Sequence, residues 1–348
     1  MSKGKETVLC VLLIVMCGFF GCSNTTATQD QPSQESETKP WVTYRGAEGP
    51  GQGKKIVFIS GDEEYRSEEA LPMLAQLLAE RFGFTCTVLF SIDSLTGEID
   101  ANEQSNIPGL AALESADLMV IFTRFRELPP DQMRYIDAYL MAGKPVVGMR
   151  TATHAFHYAK NPNDPYANYD FQSTVTGWEK GFGKVVLGET WISHHGDHGK
   201  EGTRGLNNEA AANNPILNGV ADIWVPTDVY TVGSLEGAEV LIFGQSTSGM
   251  TADAPVNEEK EALPVAWTRN YTLPGGVEGK AFTTTMGASV DLVNEDLRRL
   301  LVNACLWAVD LPIPEKADVT FVAPYQPTMF GFESFKKGKL PADYQFSN

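Results

Sequence analysis

The chain has 348 residues, with 27 lysines and arginines against 44 aspartates and glutamates, a net charge of −17 at neutral pH. An acidic chain without basic runs excludes nucleic acid and anionic lipid surfaces as main partners. Its five cysteines show no zinc-type spacing, and no glycine-rich phosphate loop is present, so no nucleotide or other cofactor is expected.

Lys3 and Lys5 precede an apolar run at 8–20 that is short for a membrane span. Phe19-Phe20-Gly21-Cys22 is similar to a bacterial lipoprotein cleavage box, with bulky Phe20 where a small residue is usual. This predicts a signal peptide over 1–21 and acylation of Cys22. The product would be an exported, membrane-anchored lipoprotein, on the periplasmic or outer-membrane face, held by its lipid alone. An ordinary secretory signal or an N-terminal anchor would also export the chain. Residues 22–53 are rich in Ser, Thr, Gln, Glu, Pro and Gly and read as a disordered tether, with a short ordered piece at 42–45.

Residues 54–312 then suffice for one large α/β domain. Apolar runs at 55–60, 85–90, 118–122 and 145–149 read as strands one to four. Amphipathic segments at 67–82 and 130–142 and a short one at 108–113 read as helices between them. Such alternation predicts parallel strands covered on both faces. Helical period fails after His157. The middle is an irregular insertion with short strand candidates at 185–187, 190–192, 223–225 and 229–232, then longer ones at 239–243, 263–268 and 280–285. Asn294 caps a helix over 297–309. Residues 313–348 read as a tail packed on the domain. Cys86 and Cys305 sit in apolar runs and are expected to be buried thiols.

Strand four ends at an elbow, Arg150-Thr151-Ala152-Thr153-His154, at the carboxyl edge where open α/β sheets bind ligands. Strand one delivers Asp62, Glu63, Glu64 and Arg66 to the same edge. All five histidines lie between His154 and His198.

Four stretches together resemble one family. They are Ile56 to Asp62 with Glu63-Glu64-Tyr65-Arg66; Val147 to His154; His194-His195-Gly196; and Gly279 to Gly287 followed by Arg298 to Ala304. Their order is similar to the trehalose-utilisation (ThuA-like) family, a branch of the class I glutamine-amidotransferase-like superfamily. The resemblance implies a flavodoxin-like three-layer sandwich with a mainly parallel central sheet, and a link to carbohydrate metabolism, including oxidised (keto) sugars. It also implies that strands one and four are central neighbours. Amidotransferases carry a nucleophilic cysteine at the elbow, whereas Arg150 stands here. Arginine stays protonated and cannot attack a carbonyl, so glutaminase chemistry is not expected. Ala288 stands where many relatives have histidine.

The expected pocket contains Asp62, Glu64, Arg150, His154, His194 and His195. His154 and His195 would move protons, Glu64 and Asp62 would orient or assist them, and Arg150, Arg66, His194 and Trp191 would hold a small carbohydrate. A divalent metal on His194 and His198 is an alternative use of the histidine cluster. A third use is hydrogen bonding to loop backbone. Three functions are compatible with these residues: a lyase, isomerase or hydrolase acting on a sugar or keto-glycoside; a carbohydrate-binding lipoprotein without turnover; and a domain with a vestigial pocket.

Overall fold

The computed structural model describes residues 39–345, so the signal, Cys22 and the tether up to residue 38 lie outside the described residues. The segment 41–53, expected to belong to the tether, is built into the domain. Trp41–Arg45 forms strand β1 and pairs antiparallel with β3 (Thr85–Leu89). Its alternation explains the change: Val42 and Tyr44 are buried while Arg45 is exposed.

Next come β2 (Lys55–Gly61), α1 (Ser67–Phe82), β4 (Leu118–Thr123), α2 (Pro130–Met141) and β5 (Val146–Met149). These fall where periodicity predicts them. Gly143 at φ 67° takes the left-handed position that ends α2, a conformation open to glycine without a Cβ clash. The short helix expected at 108–113 is a 3-10 turn, Leu110–Ser115.

The second half is strand-rich: β6 (Thr203–Asn207), β7 (Trp224–Val225), β8 (Ala238–Ser246), β9 (Leu263–Thr272) and β10 (Glu278–Thr284). Helix α3 (Glu295–Ala308) follows, and the Asn294 side chain accepts from Leu297 N at 2.9 Å. Residues 185–187, expected as a strand, lie in a π-helical turn, Gly183–Leu187. Residues 190–192 are not a strand, and 229–232 contribute one isolated bridge, His194 with Tyr230.

Among the described residues all ten strands join one sheet in the order β1-β3-β2-β4-β5-β10-β9-β8-β6-β7. Pairings are parallel from β3 through β2, β4 and β5 to β10, and antiparallel elsewhere. The sheet is therefore mixed and mostly antiparallel, which corrects the expectation of a mainly parallel one. The reason is the connections. A parallel pair needs a long crossover, and between β6 and β10 the chain has no α-helix to make one. The strands expected to be neighbours, β2 and β5, share the sheet but are separated by β4.

Two apolar cores cover the two faces. One joins α1 and α3 to Ile56, Phe58, Val120 and Phe282. The other joins α2 to Val57, Ile59, Met119, Ile121 and the insertion residues Phe182 and Leu187. Neighbouring strand residues thus serve opposite cores, which gives three layers. Gly148 in β5 is part of this fit, since a Cβ there would lie 2.7 Å from the Leu187 side chain. Cys86 and Cys305 are free and buried. The tail is tied down by Arg298 to Val319 O at 3.0 Å, Arg299 to Ala317 O at 3.2 Å and Ile99 N to Lys339 O at 2.7 Å.

Candidate active site at the carboxyl edge of the sheet

Three chain turns at the carboxyl ends of parallel strands carry strained, non-glycine residues with positive φ: Arg66 (63°) after β2, Phe125 (53°) after β4 and Arg150 (44°) after β5. Left-handed conformations cost energy for such residues and gather where a site dictates the geometry. Arg150 belongs to one network of charges, to which the β2 turn contributes Glu64.

Its centre is Asp228, buried between the β7 end and Tyr230. The loop 193–196 is zipped onto this segment by Thr231 N to Ser193 O (2.9 Å), His195 N to Val229 O (2.9 Å) and Gly196 N to Val229 O (3.0 Å). That pairing brings His194 Nδ1 to 2.6 Å from Asp228 Oδ2. The carboxylate is fully buried, whereas the His194 side chain is 34% exposed. His198 bridges two acids, with Nδ1 3.2 Å from Asp228 Oδ1 and Nε2 3.1 Å from Glu64 Oε1. Hydrogen bonds to Asp228 and Glu64 push its pKa up to about 9, so its ring is a cation at neutral pH.

Arg150 underlies Asp228. Its guanidinium donates to Asp228 Oδ1 (2.9 Å), Asp228 O (2.8 Å), Thr285 O (2.7 Å) and the Tyr65 hydroxyl (3.1 Å). It also stacks between Tyr65 and Tyr230, at 4.4 and 3.9 Å from the ring centres. Burial pushes the Asp228 carboxyl up, but Arg150 and the two histidines outweigh this and hold it well below the usual carboxylate range. Asp228 is therefore an ionised anchor.

The expected site residues divide accordingly. Glu64, Arg150, His194 and His198 meet in this network, and Trp191 lies beside it, 5.8 Å from the His194 ring. Arg150 is wholly buried and its terminal nitrogens are occupied within the protein, so it holds Asp228 and not a ligand oxygen. Asp62 is buried beneath the turn. It accepts from Glu64 N at 2.7 Å, from Tyr65 N and from the Thr151 hydroxyl, and so staples the β2 turn to the elbow. Burial and then Glu63 push its carboxyl up to about 6. Arg66 donates to Gly331 O and Ser334 Oγ and holds the tail.

His154 is 3% exposed and packs against the rings of Phe125 (5.0 Å) and Trp191 (5.5 Å). Its Nδ1 meets the Thr153 hydroxyl at 3.2 Å. Burial, then Arg124, Arg150 and His194, push its pKa well below the usual imidazole value, so the ring stays neutral. His195 turns away, with Nε2 3.0 Å from Glu261 O. Neither has the carboxylate partner that His194 has.

Sequence reasoning passed over Asp228, Tyr65, Tyr230 and Arg124. One signal was present for Asp228: a lone acid in Pro226-Thr227-Asp228, between the apolar runs 223–225 and 229–232. A hollow of about 540 Å³ lined by Glu69, Gln76, Tyr325 and Tyr344 lies elsewhere and holds no histidine–carboxylate pair.

A buried carboxylate that fixes a partly exposed imidazole is an arrangement that proton transfer or metal binding can use. The ThuA family model, described as trehalose utilisation, matches residues 55–308. The chain belongs to this family and is thereby related to trehalose utilisation. Among solved structures it is similar to a ThuA-like protein from Bacteroides uniformis ATCC 8492, with 13% identity, 76% of this chain and 95% of that one covered, and a TM-score of 0.45. It is also similar to a ThuA-like protein from Parabacteroides merdae ATCC 43184, with 14% identity, 84% and 99% coverage, and a TM-score of 0.46. No curated protein matches the chain.

Proposed function

We propose that this chain is an exported enzyme that acts on a sugar or keto-glycoside by acid/base chemistry, as a lyase, isomerase or hydrolase. The observation that carries the reading is the 2.6 Å contact of His194 Nδ1 with buried Asp228. Asp228 accepts the Nδ1 proton and fixes the tautomer, which leaves Nε2 of a partly exposed ring to take or give a proton. Arg150 keeps Asp228 ionised, and the His198 cation supplies positive charge beside the proton-transfer position. The proposal moves proton transfer from His154 and His195 to His194. Trp191 remains a substrate-side group by its contact with His194, and Glu64, expected to assist proton transfer, does so by holding His198.

The test replaces His194 by Gln and screens unmodified and mono-keto disaccharides, trehalose included, with product detection. Turnover should fall ~100- to 10,000-fold with the melting temperature kept, the usual cost of losing an acid/base group. Full turnover in the variant would end this mechanism. Affinity without turnover in the wild type would establish a carbohydrate-binding lipoprotein instead.

A second reading has its own observation. One ligand atom each from His194, His198 and Asp228 lie within 4.8 Å of one another, a group able to hold a divalent ion. Glu64 on the other nitrogen of His198 matches the outer carboxylate that commonly orients a ligating histidine. Arg150 against Asp228 opposes a second cation there. Elemental analysis of the purified protein, with activity before and after chelation, decides between them.

Export and acylation at Cys22 rest on the leader sequence. Among the described residues no helix is long and apolar enough to cross a membrane. A Cys22→Ser variant should lose membrane retention and keep its fold. Unchanged retention would refute acylation there.

A further inference from the structure

The family match ends at residue 308, yet the tail returns to the site. Segment 325–335 passes beside the histidine cluster and is anchored on both sides of a short apolar stretch, Met329-Phe330-Gly331-Phe332. Upstream, the Tyr325 hydroxyl donates to Ser289 O at 2.8 Å, and Thr328 donates to Glu69 through its N (2.7 Å) and hydroxyl (2.9 Å). Within the stretch Gly331 N donates to Glu64 O at 2.8 Å, and fully buried Arg66 grips Gly331 O and, downstream, Ser334 Oγ. Thus one residue, Glu64, holds His198 by its side chain and the tail by its carbonyl.

Between these anchors two large apolar side chains face solvent, Met329 at 54% and Phe332 at 56% exposure. Among the phenylalanine, tyrosine and tryptophan rings of the described residues, Phe332 is the most exposed. A ring on a loose end would need no explanation. A ring held out by a buried arginine and a strand-end turn is displayed. Its neighbours belong to the site: Arg124 stacks on Phe332 (5.2 Å) and on Phe125 (4.4 Å), and Phe330 lies 5.6 Å from the His198 ring.

We propose that segment 325–335 is the recognition wall of this site and that Phe332 stacks on the apolar face of a neutral pyranose ring. The inference rests on the acid/base reading and names the substrate class and the residue that selects it. Aromatic faces with polar groups alongside suit a ring that has C–H faces and hydroxyl edges. Local charge favours a neutral ligand over a phosphorylated one. Arg124 and Arg126 share Glu63, Arg150 and His198 share Asp228, and His198 also meets Glu64, so each of these cations already has a carboxylate contact within the protein.

The test compares Phe332→Ala and Phe332→Trp with wild type in the full chain. The probes are trehalose, its mono-keto derivative and trehalose phosphate, read by calorimetric Kd and by KM and kcat. Phe332→Ala should raise Kd and KM for the neutral sugars about 3- to 10-fold, the usual worth of an aromatic contact, with kcat and melting temperature little changed. Phe332→Trp should restore affinity. Unchanged Kd and KM in Phe332→Ala would overturn the wall, as would a wild type that prefers the phosphorylated sugar. The two readings fail separately. If His194→Gln keeps full turnover while Phe332→Ala loses affinity, the wall stands and the acid/base role falls. A wild type that binds none of the probes overturns both.

Discussion

The sheet has two unlike halves, and each delivers a different part of the site. The parallel half, β3-β2-β4-β5-β10, ends in strained turns that present Glu64 and Arg150 from fixed positions. The antiparallel half, β9-β8-β6-β7, and its loops deliver Asp228, His194 and His198 from chain without helical period. Parallel strands with helical crossovers make a rigid edge, and the irregular half folds its loops back over that edge. The junction between them is electrostatic: Arg150 of one half on Asp228 of the other, both fully buried.

Breaking that junction should have the largest effect. Asp228→Asn keeps the shape but leaves the Arg150 charge buried without its partner. Removal of one member of a buried ion pair commonly costs about 3–5 kcal/mol. The variant should lose stability on that order in urea unfolding and lose turnover as well. Asp62→Asn, which changes a carboxylate held within the parallel half by neutral donors, should cost less. An equal cost for the two would show that the halves are not joined through Arg150.

A second effect separates the halves by pH. Glu68, in the first turn of α1, is buried, and neither of its oxygens has a hydrogen-bond partner. Burial pushes its carboxyl up to about 8, from an ordinary value of 4.5. The folded state therefore holds this proton more tightly than the unfolded state. The resulting stability is complete below about 4.5 and is lost as pH rises through about 8. Glu68→Gln cannot titrate, so its stability should fall less steeply than wild type across that window. The difference should grow by roughly 1 kcal/mol per pH unit. Parallel stability–pH curves for the two proteins would show that Glu68 is ionised in the fold.

These variants also mark what the sequence made legible. The parallel half could be read because its strands and helices repeat at 2 and 3.6 residues; α1 begins and ends where expected, at Ser67 and Phe82. Glu64 and Arg150 were found because a strand end fixes where its next residues emerge. Asp228 was missed because no period locates a loop residue. Its role depends on a pairing with residues 193–196, about 30 positions earlier. The parallel character of the sheet was overextended for the same reason. Alternation of strand and helix stops after β5, and the later strands pair by short returns. The burial of Glu68 could not be read either, since the helical period of 67–82 does not show what packs on the first turn of α1.

His154 tests whether the histidines act as one group. It is neutral, buried and ringed by Phe125, Phe171, Trp191 and Tyr230. His154→Asn should destabilise the protein by about 1–3 kcal/mol through lost packing, the common range for a core change. Turnover of the folded fraction should stay within tenfold of wild type. A loss as deep as that of His194→Gln, without loss of stability, would move proton transfer back to the elbow and into the parallel half.

The smallest effect is expected at His195, the immediate neighbour of His194. Adjacent residues on an extended loop point to opposite sides. His194 meets Asp228 at 2.6 Å, while His195 Nε2 meets the Glu261 carbonyl at 3.0 Å, on the far side of the loop. That bond is partly exposed and to a neutral acceptor, so its net worth is small. His195→Ala should change stability by no more than about 0.5–1.5 kcal/mol and leave kcat/KM within about twofold. The same measurements on His194→Gln supply the contrast, since the two side chains share one stretch of backbone. If His195→Ala lowers kcat/KM as far as His194→Gln at unchanged stability, the loop must adopt a second pairing in which His195 faces the site. The Asp228–His194 contact would then be one of two states, and the division between the rigid edge and its covering loops would have to be redrawn.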